Sequence, residues 1–354
     1  MGLKILHSAD WHMDSPFGSF GPEQRDALRS AQLEIPGRIA GACRDQACDL
    51  VLLAGDIFDG PFKKPTLALV RDALAECRVP VLIAPGNHDP WGPGSPWEES
   101  WPDNVCVFPP VLSKLDLPDL QCRVYGAGFA SMDSPGLLED FHAEPGARYQ
   151  IGLFHGDPTG ASSHYNPITA AQVRGSGLTY LALGHIHRLG GLELGGTVCG
   201  WPGCPMGRGW DETGEKGYLI VNLQDGVGLQ PISLDMPRFT QLTVDVGEDP
   251  AASLERVLPA SSRDFFRITL EGYGSPDLGK LKGLFPNVPN LELKDQTVKP
   301  TEIWDQAGED TLRGVYFQRL KDAAELAEPE ERQRILLAAE ISRLLLEGRE
   351  VPLP

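Results

Sequence analysis

Five short apolar runs, each closed by a cluster of Gly, Asp, Asn or His, constrain this chain more than any other feature. Lys4–Ser8 leads to Asp10-Trp11-His12. Leu50–Ala54 leads to Gly55-Asp56-Ile57-Phe58-Asp59, and Val79–Ala84 leads to Gly86-Asn87-His88-Asp89. Gln150–Phe154 leads to His155-Gly156, and Tyr180–Leu183 to Gly184-His185-Ile186-His187. Continuous apolar runs of this length read as strands buried on both faces. Helical patterns at Pro36–Gln46 and Pro65–Cys77 lie between them, each with a proline in its first turn. This alternation predicts an α/β fold of layered sheets flanked by helices, completed by Gly-rich strands and turns over residues 190–232. The Gly/Pro-dense stretch 90–103 reads as a loop holding several tryptophans.

In open α/β sheets, ligands bind beyond the carboxyl ends of the strands. All five clusters sit there, so they can converge on one place. Asp10/His12 and His185/His187 are i,i+2 pairs. In extended backbone such pairs point the same way and offer two groups to one site. Gly55, Gly86 and Gly184 allow the sharp turns that a crowded site needs. Asp, Asn and His donors without a thiolate suit Mn²⁺, Fe²⁺ or Zn²⁺ better than Ca²⁺ or a soft ion. Five of the eight histidines fall in these clusters. A chance set of satisfied structural polar residues does not account for that concentration.

The character of the chain changes near Pro237. Phe239–Val246, Ala251–Leu258, Phe265–Glu271, Asp277–Leu284 and Asn290–Lys294 predict a β-α-β-α-β unit. After Pro300 a linker leads to two helical patterns, Thr311–Ala327 and Pro329–Leu346, the second opening with acid in its first turn. Boundaries are therefore expected at 1–237, 238–300 and 301–354. The 354 residues carry 31 basic and 49 acidic side chains, a net −18 with neutral histidines, and −12 of this lies in 1–237. So acidic a chain is a poor stand-alone binder of polyanions, unless bound cations or a basic partner offset the charge. Seven cysteines without a CxxC pair read as free thiols. No run approaches the roughly 20 apolar residues of a membrane span. The first residues lack the pattern of a secretory signal, so a cytoplasmic location and no membrane partner are expected.

The five clusters, in this order, resemble the calcineurin-like metallophosphoesterase superfamily. Leu6-His7-Ser8-Ala9-Asp10-Trp11-His12-Met13-Asp14-Ser15-Pro16-Phe17 is similar to the opening of the SbcD/YhaO-type DNA repair exonucleases within it. So are Leu181–His187 and the segment Trp201-Pro202-Gly203…Gly207-Arg208…Glu212…Gly214…Lys216-Gly217. The resemblance covers residues 3–235 by motif and the remainder only by architecture. It implies a metallophosphoesterase sandwich, a small α+β capping domain and a C-terminal helical tail. It also implies two divalent ions, Mn²⁺ foremost. Asp10, His12, Asp56 and His187 would hold one; Asp56, Asn87, His155 and His185 would hold the other, with Asp56 shared. His88 would act as the catalytic acid, oriented by Asp59. Other branches carry His at the Asp59 position, and bacterial members commonly carry Asp.

The function expected from the resemblance is a DNA exonuclease or end-processing phosphodiesterase in DNA repair. Its partners would be DNA and an SMC-like ATPase docked on the C-terminal helices. Related nucleases work as dimers, which carries a homodimer over without a sequence signal of its own. The same site would serve a small-molecule phosphodiesterase or phosphatase, and a non-catalytic DNA-end scaffold is a third reading. His7 is expected in a buried structural role, His142 exposed, and His164 in a loop. Arg208 is balanced between a phosphate contact and an ion pair with Asp211, Glu212 or Glu215. Trp91, Trp97 and Trp101 read as loop packing rather than a base-stacking surface.

Overall fold

Strand β1 (Leu3–Ser8) lies between two neighbours of opposite sense. It pairs in parallel with β2 (Leu50–Leu53) and antiparallel with β11 (Gly217–Leu223). With β3 (Val81–Ile83), β4 (Val105–Val107) and β12 (Val227–Ser233) they form a six-stranded sheet ordered β12-β11-β1-β2-β3-β4. A second sheet of six is ordered β5-β6-β7-β8-β10-β9. Its strands are β5 (Ser113–Leu117), β6 (Cys122–Ala127), β7 (Tyr149–His155), β8 (Tyr180–Gly184), β9 (Gly190–Leu194) and β10 (Thr197–Trp201). Each sheet has four parallel strands; the first adds β11 and β12 at one edge by antiparallel pairing, and the second adds antiparallel β5 at one edge and β9 at the other. This structure, a computed structural model, describes residues 2–158, 162–247, 249–298 and 303–349. The expected linker start at Pro300 lies outside the described residues.

Strand parity builds the core. Leu3 and Ile5 of β1, Leu50 and Leu52 of β2, and Leu219 and Val221 of β11 face Val124, Ile151, Leu153 and Ala182 of the other sheet. Residues of the opposite parity, such as Leu6, Val51, Leu53 and Val81, are also fully buried. They face the flanking helices, which is why the runs are apolar throughout. The helices are α1 (Pro22–Gln32), α2 (Ile35–Asp45) and α3 (Lys64–Ala75), each with a proline at its first or second position. The outer face of the second sheet packs on Leu138, Phe141 and Val173, the last from α4 (Ala170–Gly175). Thr169 and Gln172 close a capping box there.

The chain divides into two compact units, Met1–Arg238 and Phe239–Pro354. In the second, β13 (Phe239–Asp245), β14 (Phe265–Glu271) and β15 (Leu291–Asp295) form an all-parallel sheet. Parallel pairing needs crossovers, supplied by α5 (Pro250–Glu255) and α6 (Leu278–Gly283), capped by Asp249 and Asp277. Helices α7 (Leu312–Leu326) and α8 (Pro329–Leu346) pack on each other. Phe317, Leu336 and Ala339 join them to Ile303, Tyr273 and Val298. No helix among the described residues is long and apolar enough to cross a membrane.

Candidate metal centre

The parallel strands β1, β2 and β3 of one sheet and β7 and β8 of the other carry the five clusters at their carboxyl ends. The two sheets close on each other at this edge. His155 donates from Nδ1 to the carbonyl of Ala54 at 2.8 Å. A Cβ on Gly184 would collide with the same carbonyl, and one on Gly86 would collide with the Asp56 carboxylate. These two glycines are present because the chains pass too close for a side chain.

The expected extended geometry of the i,i+2 pairs is not what the backbone adopts. Asp10, His12 and Asp56 have φ of 55°, 48° and 51°, and His185 has φ of 87°. The turn is left-handed, a conformation that Asp and His enter more readily than most residues. It is held from outside: Asp10 N donates to Gly55 O at 3.0 Å, and His12 N to Asp56 O at 2.9 Å. Surrounding hydrogen bonds thus over-determine a strained backbone, as is common where side chains must be aimed.

The side chains meet in two adjoining groups. Donor atoms of Asp10, His12, Asp56 and His187 all lie within 4.8 Å of one another. His12 Nε2 is 3.1 Å from His187 Nε2 and 3.6 Å from Asp56 Oδ2. On the other side, His155 Nε2 is 3.3 Å from Asp56 Oδ2 and 2.9 Å from Asn87 Oδ1. His185 Nδ1 is 3.3 Å from the same Asn87 oxygen. Asp56 therefore touches both groups. All seven residues come together here, and none is left elsewhere.

The donor set fits divalent cations. Asp10 and Asp56 are buried carboxylates, and Asp10 Oδ2 has no hydrogen-bond partner among the described residues. Buried charges without partners are costly, and ring nitrogens crowded onto one spot need a cation between them. Burial alone would raise the Asp56 carboxyl, but His155 and His12 outweigh it and hold it below the usual carboxylate range. Burial likewise disfavours the charged His155, yet Asp56 and Asp10 raise it to about 9. A proton on His155 thus supplies positive charge beside the two carboxylates, while burial lowers the pKa of His12.

A surrounding layer sets the tautomers. His187 Nδ1 donates to Glu212 Oε1 at 2.6 Å, as His155 Nδ1 does to Ala54 O, so each leaves Nε2 for the site. Gln32 Nε2 holds the His12 carbonyl at 2.6 Å. The buried Asp89 carboxylate accepts from the backbone N–H groups of Gly86, Ile57 and Phe58, stitching the second cluster to the third. Burial, with help from Asp56, pushes its carboxyl up to about 7. Glu212 belongs to the family-like segment 201–217, yet no spacing in the sequence ties it to His187. Gln32 lies on a mostly polar helix and carries no such signal either.

His88 adjoins the first group: its ring centroid is 4.7 Å from that of His12, its backbone N–H donates to Asp56 Oδ1 at 2.9 Å, and with His12 and Asp59 it forms a further cluster of possible donors. Its Nδ1 donates to Asp59 Oδ1 at 2.8 Å, and its side chain is 39% exposed. The Asp59 hydrogen bond raises its pKa. His12 Nδ1 approaches the same Asp59 oxygen at 3.5 Å. Arg208 is engaged by carboxylates: Nη2 lies 3.2 Å from Glu212 Oε1, and Nη1 lies 3.8 Å from Asp59 Oδ2. Away from the site, His7 is fully buried and bonded to Tyr180 at 2.7 Å. His142 meets the carbonyl of Gly175, and His164 lies on the loop beside Ser134. Trp97 is buried, bonded to the Asp89 carbonyl and stacked on Trp101, which is loop packing.

Two facing sheets with buried Asp, Asn and His donors at their strand ends are the hallmark of a metallophosphoesterase. Residues 3–189 match the calcineurin-like phosphoesterase family, and the chain belongs to it. It is 33% identical over 242 residues to "Uncharacterized metallophosphoesterase YhaO" of Bacillus subtilis, covering 63% of this chain and 58% of that protein's length. It is 24% identical over 269 residues to the SbcD subunit of the nuclease SbcCD from the same organism, covering 63% and 67%. A shorter match, 39% over 93 residues, is to the DNA double-strand break repair protein Mre11 of Aeropyrum pernix, covering 24% and 21%. Among solved structures it is similar to a dimetal phosphatase from Danio rerio, with TM-score 0.40 and 13% identity over 64% of this chain and 96% of that one.

Proposed function

We propose that this chain is a two-metal phosphodiesterase that processes DNA ends together with an SMC-like ATPase. The observation that carries the reading is the pair of adjoining donor groups sharing Asp56, with His88 held beside them by Asp59. Asp10, His12, Asp56 and His187 would hold one ion, and Asp56, Asn87, His155 and His185 the other. Mn²⁺ suits this donor set, with Fe²⁺ or Zn²⁺ as alternatives. Two such ions, when bound, activate a water and neutralise charge on the phosphate. The chain supplies the rest. Asp56 fixes the spacing of the two groups. Glu212 and Ala54 hold His187 and His155 in the tautomer that leaves Nε2 available. Asp59 accepts from His88 Nδ1, so a proton on Nε2 can be given to the departing oxygen.

The nuclease reading draws on the relatives named as a nuclease SbcCD subunit and as the repair protein Mre11. The partner reading draws on the C-terminal helices. Leu312, Val315 and Tyr316 share one face of α7 and stay exposed, as do Leu337 and Leu345 of α8. Exposed apolar stripes of this kind suit helix-in-groove association. A basic ATPase surface would also hold DNA that a chain of charge −18 cannot hold alone. That acidity favours the second reading, a small-molecule phosphodiesterase.

The test is hydrolysis by the purified chain with Mn²⁺, using linear single- and double-stranded DNA beside a chromogenic phosphodiester, with His88→Ala as control. DNA cleavage that disappears in the variant supports the nuclease. Chromogenic turnover without DNA cleavage, even with the ATPase added, would move the assignment to a small-molecule esterase.

A further inference from the structure

We propose that Arg208 and Ser15 are positioning residues, a clamp on the two carboxylates that stand behind the site histidines. This rests on the two-metal reading above. Asp59 uses Oδ1 for His88 Nδ1 at 2.8 Å and faces His12 Nδ1 with the same atom. Its other oxygen, Oδ2, accepts from Ser15 Oγ at 2.7 Å and has Arg208 Nη1 at 3.8 Å. Ser15 Oγ is also 2.8 Å from the His12 carbonyl, so its single proton is shared between that carbonyl and Asp59 Oδ2. Without a partner on Oδ2, the Asp59 carboxylate would be free to turn and His88 with it.

Glu212 is held in a parallel way. Oε1 accepts from His187 Nδ1 at 2.6 Å and from Arg208 Nη2 at 3.2 Å. Oε2 accepts from the Arg208 backbone N–H at 2.8 Å. Arg208 Nη2 also lies 3.2 Å from His187 Nδ1. Both are donors when His187 keeps Nε2 for the site, so they share Glu212 rather than bond each other. Arg208 is thus one fork spanning two carboxylates, one behind His12 and His88, the other behind His187. Lysine has no such fork. The guanidinium also offsets the mutual repulsion of Asp59 and Glu212, which would otherwise spread the two ligand-bearing loops. Nη2 hydrogen-bonds Glu212, Nη1 faces Asp59 Oδ2 as an ion pair at 3.8 Å, and Nε is buried without a hydrogen-bond partner among the described residues. The arrangement is therefore that of a brace rather than a substrate contact. Ser15 belongs to the Asp14-Ser15-Pro16-Phe17 motif. Asp14 of that motif accepts from Lys63 N and Thr66 Oγ1 at the start of α3, which anchors the segment that presents Ser15.

The test uses the full chain, Mn²⁺ titration by calorimetry and turnover of bis(p-nitrophenyl) phosphate. Arg208→Ala is expected to weaken Mn²⁺ binding about 10–100-fold, the usual effect of removing a residue that orients a ligand. kcat at saturating Mn²⁺ should fall while KM stays near wild type, and the metal-free thermal midpoint should drop because Asp59 and Glu212 lose their shared counter-charge. Arg208→Lys should recover only part of the loss, because a point charge reaches one carboxylate. Ser15→Ala should lower kcat, and the double variant should lose less than the product of the two singles, since both act on Asp59 Oδ2. Unchanged Mn²⁺ affinity with a raised KM would make Arg208 a substrate contact and overturn the proposal. Full recovery by lysine, or strictly multiplicative losses, would overturn it too. The comparison of Arg208→Lys with Ser15→Ala still decides the matter if Arg208→Ala does not fold. A wild-type chain that takes up none of Mn²⁺, Fe²⁺ and Zn²⁺ removes the two-metal reading and the clamp with it. Wild-type uptake with an indifferent Arg208→Ala removes the clamp alone.

Discussion

Asp56 Oδ2 faces a ring nitrogen of each donor group, His12 Nε2 at 3.6 Å and His155 Nε2 at 3.3 Å, so it is the least replaceable residue of the site. Asp56→Ala should abolish uptake of both ions and turnover together, read by calorimetry and chromogenic assay. Retention of a full-affinity ion would show that the groups are independent. His88→Ala is predicted to keep both ions and lose about 10²–10⁴ in kcat, the range for a positioned general acid. If instead it empties the site, His88 is a ligand and the roles are wrong. The protonation states add a pH dependence. In the metal-free chain His155 is raised from 6.5 to about 9 by Asp56 and Asp10 against the effect of burial. Its stabilisation is fully present below about pH 6.5 and is lost as pH rises through 9. Metal must displace that proton, so Mn²⁺ affinity should climb between pH 6.5 and 9 while the metal-free thermal midpoint falls. A flat midpoint over that interval would contradict the assignment. At this scale the sequence is most legible. Every donor sits at a strand end, and chemistry limits what Asp, Asn and His can do together. Glu212, Gln32 and Ser15 are invisible as partners because nothing in linear spacing says which carboxylate or hydroxyl will fold behind which histidine.

Elements are legible where burial makes them so. β1, β2, β3, β7 and β8 are apolar on both faces, and the runs announce them. Helices α2 and α3 begin within a residue of where their prolines put them. Helix α1 escapes the sequence pattern because only Leu28, Ala31 and Gln32 of its eleven residues are buried, too few to set up a period. Strands β4 and β5 escape it because they are short and half-exposed at a sheet edge. The left-handed turns at Asp10 and His12 cannot be read either, since they are imposed by hydrogen bonds from the second cluster. The close approach of β8 to β2 gives a prediction at this scale. Gly184→Ala drives a methyl into the Ala54 carbonyl, against which His155 is also set. Overpacking of this kind costs about 1–3 kcal/mol. Urea denaturation should show that loss, and Mn²⁺ affinity should drop with it. A stable variant with normal affinity would mean that the sheet ends can separate without disturbing the site.

For the molecule as a whole, the question is what the second unit presents. Residues on α7 and α8 divide sharply. Gly314, Phe317 and Ala324 of α7, with Leu336, Ala339 and Leu344 of α8, are buried, and part of that face covers Tyr273 and Val298. Leu312 and Val315 do not join that core and face outward, while the partly exposed Tyr316 bonds Ser342 of α8 through its hydroxyl at 2.8 Å. The helical periodicity marks the free face as well as the packed one, because amphipathic spacing cannot say which apolar side finds a partner within the chain. Removing residues 309–354 would therefore strip cover from Tyr273 and Val298 and confuse lost docking with lost folding. Charge substitutions on the free face separate the two. Leu312→Glu with Val315→Glu should leave the thermal midpoint near wild type and chromogenic turnover within about twofold, as surface changes away from packed groups do. Binding to an SMC-like ATPase from the same genome, measured by calorimetry, should fall by at least about tenfold, equivalent to roughly 1.4 kcal/mol. An unchanged affinity in this double variant would remove the free face of α7 as the docking site for an ATPase.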